Sequence, residues 1–464
     1  MAYTTINKGE DHFNAVLTTG TGSSQAVTGV GFQPDWIWGK RRDGSGHPTL
    51  FNSVLGVTKG LESNQTGAEF TSTDYYSSFD TDGFTIAAGA GGAGNGSSET
   101  AVQWCWLAGG TAPAITYTVK VVDDSGNKYR FDDFGTSAVT LDLQEGGTYT
   151  FDQSDASNDG HPLRFYTAAD KTGGEYTTGV TTSGTPGNAG AKTIITVAAS
   201  APTLYYQCSI HAGMGGQANT NSTHGSSNFA GSTQSLVSAN TTAGISIISY
   251  TGTGSNATIG HGLGATPAMY AVKIRNDTGY NWMVYHHKNT AAPETDNLHF
   301  NTTDATDDAA GVWNDTAPTS TVFTVGTSGS VNQNTSTFIA YCFAEKKGFS
   351  KFGSYEGNGN ADGPFVHLGF RPAFIVIKKS SGTEDWSMYD TERNVNGTSN
   401  TLPLLANDNG AESGFTGKNM DILSNGVKIK TSNGELNLDN ETYIYWAFAE
   451  HPFVSSTGTP VTAR

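Results

Sequence analysis

Charge is scarce in this chain, and so is every feature that marks a basic or a membrane-spanning protein. Only 14% of the 464 residues are Asp, Glu, Lys or Arg, and acids outnumber bases by 42 to 25, for a net charge of −17. Without clusters of Lys and Arg there is no electrostatic footprint for nucleic acid. The three cysteines, Cys105, Cys208 and Cys342, stand too far apart to form a disulfide framework, so folding in a reducing cytoplasm is expected. No apolar run approaches the ~18 residues of a membrane-spanning helix. The opening MAYTTINKGEDH has neither the basic start nor the apolar stretch of a signal peptide. The Gly-x-Ser-x-Gly nucleophile elbow and the phosphate-binding loop are both missing, and no enzymatic activity is expected.

Glycine is abundant instead: 59 residues, without the three-residue period of collagen. A hydrophobic content of 36%, with 11% aromatic, supplies material for several cores and argues against disorder. Ser, Thr, Asn and Gly between short apolar runs point to an all-β protein of strands and turns.

A repeat orders the chain. The segment from Gly252 to Lys273, GTGSNATIGHGLGATPAMYAVK, corresponds to GNGNADGPFVHLGFRPAFIVIK from Gly357 to Lys378. Pro267 and Pro372 differ by 105 positions, as do Glu345 and Glu450 at the ends of STFIAYCFAE and ETYIYWAFAE. A more diverged copy begins GTGSSQAVTGVGFQPDWIWGK at Gly20 and closes on TAVQWCWLAGG at Gly110; in all three copies lysine follows proline by six. The pairs Gly20/Gly22, Gly252/Gly254 and Gly357/Gly359 then occupy equivalent turns. Roughly a hundred residues with many short strands and Asp-Gly or Asn-Gly turns is the size of one β-sandwich. The expected layout is three jelly-roll or lectin-like antiparallel sandwiches at 1–111, 241–346 and 347–464, a fourth sandwich at 112–218, and a Ser/Thr/Asn-rich linker at 219–240. No helix is expected.

The fourth unit holds the one constellation with chemistry. YYQCSIHAGMGG places Cys208, His211 and Met214 as Cys-x2-His-x2-Met, and His161 enters a strand far upstream. Two imidazoles, a thiolate and a thioether suit both oxidation states of copper in a His2Cys site with a weak axial Met. A single Cys, His or Met in a β-protein is usually structural; four ligand types in this order and spacing are harder to dismiss. This unit resembles the cupredoxins with the short ligand loop of the amicyanin type, down to Tyr205 and Tyr206 before the cysteine. The resemblance implies a Greek-key sandwich and a type 1 copper site held by His161, Cys208, His211 and Met214. One departure is Pro162, which lacks the N–H that many cupredoxins have after the first histidine ligand.

Other candidates carry less. His261, His286 and His287 have no paired carboxylate and read as core or surface histidines. Asp132-Asp133 and Asp307-Asp308 read as solvated turns, and the Gly-rich 87–98 as loop. Trp36, Trp38, Trp282, Trp386 and Trp446 could stack on sugars, but their repeat-equivalent positions favour core roles. Cys342 aligns with Ala447 and reads as a small core residue.

The repeats resemble domains of unknown function that recur in tail fibres and other structural proteins of marine phages, cyanophages included. The phrases that carry the match are GFQPDWIWGKRRD at 31–43, YCFAEKKGFSKFGSYEGNG at 341–359, GPFVHLGFRPAFIVIK at 363–378 and YIYWAFAEHPF at 443–453. The resemblance implies a virion structural protein assembled in host cytoplasm, first of all a tail-fibre or appendage subunit in host-surface attachment. It also implies other virion proteins as partners, homo-oligomers with the trimer first, and contact with surface glycans or proteins, without nucleic acid or membrane insertion. The alternatives are a capsid decoration or horn-like protein and, in another class, a copper-binding electron-transfer protein. Receptor-binding residues are not readable.

Overall fold

The computed structural model describes residues 4–89, 94–109, 112–393 and 402–451. It is nearly all β, arranged as sandwiches. Helices Ala310–Trp313, Gly329–Asn332 and Gly434–Asn437 are single turns of four residues, too short to leave a 3.6-residue pattern in the sequence. Part of the Gly-rich stretch at 87–98 and the residues after His451 lie outside the described residues.

The three repeats share one strand order. In the first, the large sheet runs Phe13–Thr19, Thr100–Trp106, Trp36–Arg41, Thr49–Asn52; in the second, Ile245–Thr251, Thr337–Phe343, Met269–Ile274, Met283–His286; in the third, Ser350–Glu356, Thr442–His451, Arg371–Lys379, Trp386–Asp390. A small sheet of two or three strands covers one face of each.

The other face is covered by neighbouring repeats. Along Thr337–Phe343, Phe338, Ala340 and Cys342 enter the repeat's own core, while Ile339, Tyr341 and Phe343 enter a second core shared by all three repeats. That core holds Trp36, Trp38, Trp104, Trp106, Trp282, Trp386 and Trp446, all at most 4% exposed. Trp36 stacks on Trp106 at 4.1 Å between ring centroids and, across the repeat boundary, on Tyr341 at 4.7 Å. Burial on both faces is why these antiparallel strands read as continuous apolar runs such as FIAYCFA and AFIVI, a pattern more familiar in parallel sheets.

The repeats are serial in sequence but form a ring in space. Equivalent backbone bonds close it: Glu69 N donates to Arg275 O (2.7 Å), Thr306 N to Ser380 O (2.9 Å) and Glu412 N to Arg42 O (3.0 Å), joining first to second, second to third and third to first. The lysine six after each proline crosses the same boundaries. Lys40 Nζ donates to Gly410 O (3.1 Å), Lys273 Nζ to Thr66 O (3.3 Å) and Lys378 Nζ to Thr303 O (3.2 Å). Each lysine lies two residues beyond an apolar position on the face turned to the shared core. Its stem is buried there while its ammonium reaches carbonyls at the rim. Burial pushes all three ammonium groups down to about 8.

The paired glycines occupy the tight turns expected of them. Gly22, Gly254 and Gly359 have φ of 73°, 72° and 62°, and a Cβ on Gly20, Gly252 or Gly357 would strike a backbone carbonyl of the facing loop.

The segment expected as a linker, 219–240, is ordered strand instead. Gln217–Asn221 belongs to the fourth sandwich, and Ser226–Asn228 with Ser235–Asn240 forms a hairpin that extends the large sheet of the second repeat. Its polar groups are buried in specific bonds: Tyr117 Oη donates to the Ser227 carbonyl (2.8 Å), Asp142 N to Ser227 Oγ (2.8 Å), and Tyr149 Oη meets Ser226 Oγ at 2.6 Å. A Ser/Thr/Asn-rich segment resembles a linker only until its polar groups find partners.

Candidate metal centre

The fourth sandwich pairs a five-stranded sheet (Asn127–Phe131, Ala114–Asp123, Thr148–Asp152, Lys192–Thr196, Val180–Ser183) with a four-stranded one (Leu141–Gln144, Gln217–Asn221, Leu204–Cys208, Leu163–Tyr166). Two neighbours are parallel, Ala114–Asp123 with Thr148–Asp152 and Leu141–Gln144 with Gln217–Asn221. The interior is aromatic, with Tyr117, Phe131, Phe151, Phe165 and Tyr206 packed around Leu143 and Leu204.

Register brings the remote histidine to the cysteine. Cys208 ends its strand opposite Leu163, so His161, two residues earlier, lies just beyond the sulfur. A capped turn delivers it: Asp155 accepts from Ser157 N in the 3-10 turn Ala156–Asn158, and His161 N donates to Asn158 O (2.8 Å). The His161 carbonyl accepts from Tyr129 Oη (2.8 Å) and Gln153 Nε2 (2.9 Å), which fixes the backbone.

His161 Nδ1 stands 3.9 Å and His211 Nδ1 3.6 Å from Cys208 Sγ, and the three ligand atoms lie within 4.8 Å of one another. The Asn127 amide nitrogen lies 3.4 Å from His161 Nε2, on the side away from the sulfur. The backbone N–H of His211 points at Sγ from 3.4 Å. Cys208 is fully buried, His161 is half-buried and His211 is exposed. Met214, six residues after the cysteine, is 1% exposed and packs in the same core. The loop that carries them needs its glycines: Gly213 has φ 71°, and a Cβ on Gly215 would overlap the Tyr206 carbonyl. Burial, with the His211 imidazole beside it, holds His161 below the usual histidine range, Asp159 opposing. A neutral imidazole is the form that binds metal.

The donor set therefore fits a soft or borderline metal ion: a buried cysteine sulfur, two imidazole nitrogens close to it and a buried thioether on the same loop. Pro162 ties the turn after His161 to the loop after Cys208, its carbonyl accepting from Ser209 N (2.9 Å).

The remaining candidates are structural. Cys105 and Cys342 are buried and burial pushes their thiols up. His261 and His286 are buried with both ring nitrogens engaged; His286 Nε2 donates to Tyr445 O (3.1 Å) while Nδ1 accepts from Lys288 N (3.2 Å). His287 Nε2 donates to Phe352 O (2.9 Å). Asp133 pairs with Lys120, Asp132 accepts from Thr118 N, and Asp307 and Asp308 are exposed. All five candidate tryptophans are buried and offer no sugar-stacking face. Among the described residues, His161, Cys208 and His211 are the one group of three metal-ligating side chains of these types.

One recurring device escaped the reading of the sequence. Asn95, Asn332 and Asn437 are equivalent and buried, and each pins the Gly-x-Gly turn of its repeat. Asn332 accepts from Thr253 N (2.8 Å) and donates to Ser255 O (2.6 Å) and Gly326 O (2.8 Å); Asn95 and Asn437 make the corresponding bonds to their own turns. The signal was present, since Asn332 and Asn437 keep the same 105-residue offset as the prolines.

Fold and site together define an all-β protein of three sandwiches closed around one core, with a fourth sandwich between the first and second that bears a His2Cys cluster. The chain belongs to the family described as a domain of unknown function (DUF7483), whose model matches residues 8–139 and 218–452. All four candidate ligands fall in the gap between the two matched stretches. No curated protein and no solved structure gives a significant match.

Proposed function

We propose that this chain is a copper-binding protein in which a three-sandwich scaffold carries a single redox-active module. The observation that carries the reading is the convergence of His161 Nδ1 and His211 Nδ1 on Cys208 Sγ, with Met214 buried on the same loop. Bound copper would supply one-electron transfer between its cuprous and cupric states. The chain does the rest: the sandwich hides the Cys208 sulfur from water, hydrogen bonds on the His161 carbonyl hold its backbone, and His211 offers an exposed edge to a partner. The full-length protein, titrated with Cu(II), is expected to take up one equivalent and show thiolate-to-metal absorption in the visible, lost in Cys208→Ser. A colourless protein that keeps its free thiol overturns the reading.

A second reading concerns the scaffold: a virion structural protein, first of all an appendage subunit in host-surface contact, with a capsid decoration protein as its variant. What supports it is the resemblance of the repeats together with an acidic, cysteine-poor ring whose tryptophans are spent on packing. Antibody labelling of intact particles in micrographs separates tail from head, and particles without label overturn it.

A further inference from the structure

Two lysines grip the candidate ligand loop from outside. Lys171 Nζ lies 3.1 Å from Cys208 O, 3.3 Å from Ser209 O and 3.4 Å from His211 O, so one ammonium gathers three carbonyls from four residues of the loop. On the other side Lys128 Nζ donates to Gly213 O. Lys171 sits in a left-handed backbone conformation, φ 68°, which a residue with a Cβ adopts only at some cost. Its own loop is tied back by bonds from Lys171 N to Ala168 O (3.0 Å) and from Gly174 N to Lys171 O (3.2 Å). A strained lysine whose ammonium meets three carbonyls of one ligand loop is placed there by the surrounding structure.

We propose that Lys171, aided by Lys128, is a positioning residue for the metal centre: it preforms the loop from Cys208 to Met214 in the metal-free protein and fixes a positive charge beside it. The inference rests on the copper reading for its second half only. Carbonyls gathered on an ammonium cannot rearrange without losing charge-assisted bonds, so the loop holds its ligand spacing before any ion arrives. A fixed positive charge next to the site disfavours the more highly charged cupric state relative to the cuprous one.

The test uses the full chain and two readouts. In the metal-free protein, backbone hydrogen exchange across 208–214 is expected to accelerate at least about tenfold in Lys171→Met, more in the Lys128→Met double variant, and to stay at the wild-type rate in Lys171→Arg. Unchanged exchange in the Met variants overturns the clamp, whether or not copper binds. With copper loaded, Lys171→Met is expected to lower the preference for Cu(I) over Cu(II) by up to about tenfold, a fall of up to ~59 mV in potential, with Lys171→Arg close to wild type. An unchanged or raised potential overturns the electrostatic half. A wild-type chain that takes up no copper refutes the copper reading and leaves the clamp to be decided by exchange alone.

Discussion

The buried asparagines show how much one side chain fixes in this fold. Asn332 satisfies the Thr253 N–H and the Ser255 carbonyl of the Gly-x-Gly turn and the buried Gly326 carbonyl of a facing segment. Asn332→Ala removes the amide's bond to the buried Gly326 carbonyl, at a cost of about 1–3 kcal/mol where that group is left unpaired. Chemical denaturation is expected to register a loss of at least about 1 kcal/mol; a loss within ~0.5 kcal/mol would show that water or a shifted backbone replaces the amide. His286 makes a pH-dependent contribution. Burial pushes its pKa down to about 3, so the folded protein keeps it neutral while the unfolded chain protonates it near 6.5. The unfolded state thus binds the extra proton, and stability drops as the pH falls from about 6.5 towards 3, by roughly 1 kcal/mol per unit. His286→Gln is expected to flatten that acid limb in thermal melts between pH 6.5 and 4, and an unchanged slope would assign acid sensitivity to other groups.

At the scale of the element, the sequence was most readable where one strand has one job. The Cys-x2-His-x2-Met spacing and the strand that leads into it were visible because the ligands lie on one short loop, and His161 was visible because it stands at the entrance to the strand HPLRFYT. The two-faced strands were harder. WIWGK and FIAYCF show that they are buried, but not that alternate residues belong to different cores. The hairpin 226–240 was misread because Ser, Thr and Asn carry no periodic signal, and their partners, Tyr117, Asp142 and Tyr149, lie some 80 to 110 residues upstream. Lys171 could not have been found at all: nothing local distinguishes it from a surface lysine.

At the scale of the molecule, the ring makes the fourth sandwich an addition. The second repeat reaches the third through six residues, Ala344 to Phe349, whereas the first reaches the second by way of the whole insert. Strands Phe13–Thr19 and Ser350–Glu356 are edge strands of their sheets; the equivalent Ile245–Thr251 is covered only by the hairpin that follows the insert. Deleting residues 110–241 joins Gly109 to Thr242, restores a six-residue connection and leaves three matching sandwiches. The deleted chain is expected to fold cooperatively, bind no copper and run as a single chain in light scattering, as is the parent at 48.6 kDa. A single chain is expected because the threefold contact a fibre would build from three chains is made here within one. An unfolded deletion product would make the insert part of the ring, and a trimeric parent would show that further faces associate.

The sequence alone determined the all-β class, the threefold repeat with its Gly-x-Gly turns, and the identity of the four candidate ligands, because these depend on local period, turn chemistry and residue type. Tertiary structure decided that the repeats close into a ring around shared tryptophans, that the polar segment is a joint and not a linker, and that a distant lysine holds the ligand loop. Those outcomes depend on which surfaces meet and on which buried polar groups find each other across long stretches of chain, and no local pattern encodes that choice.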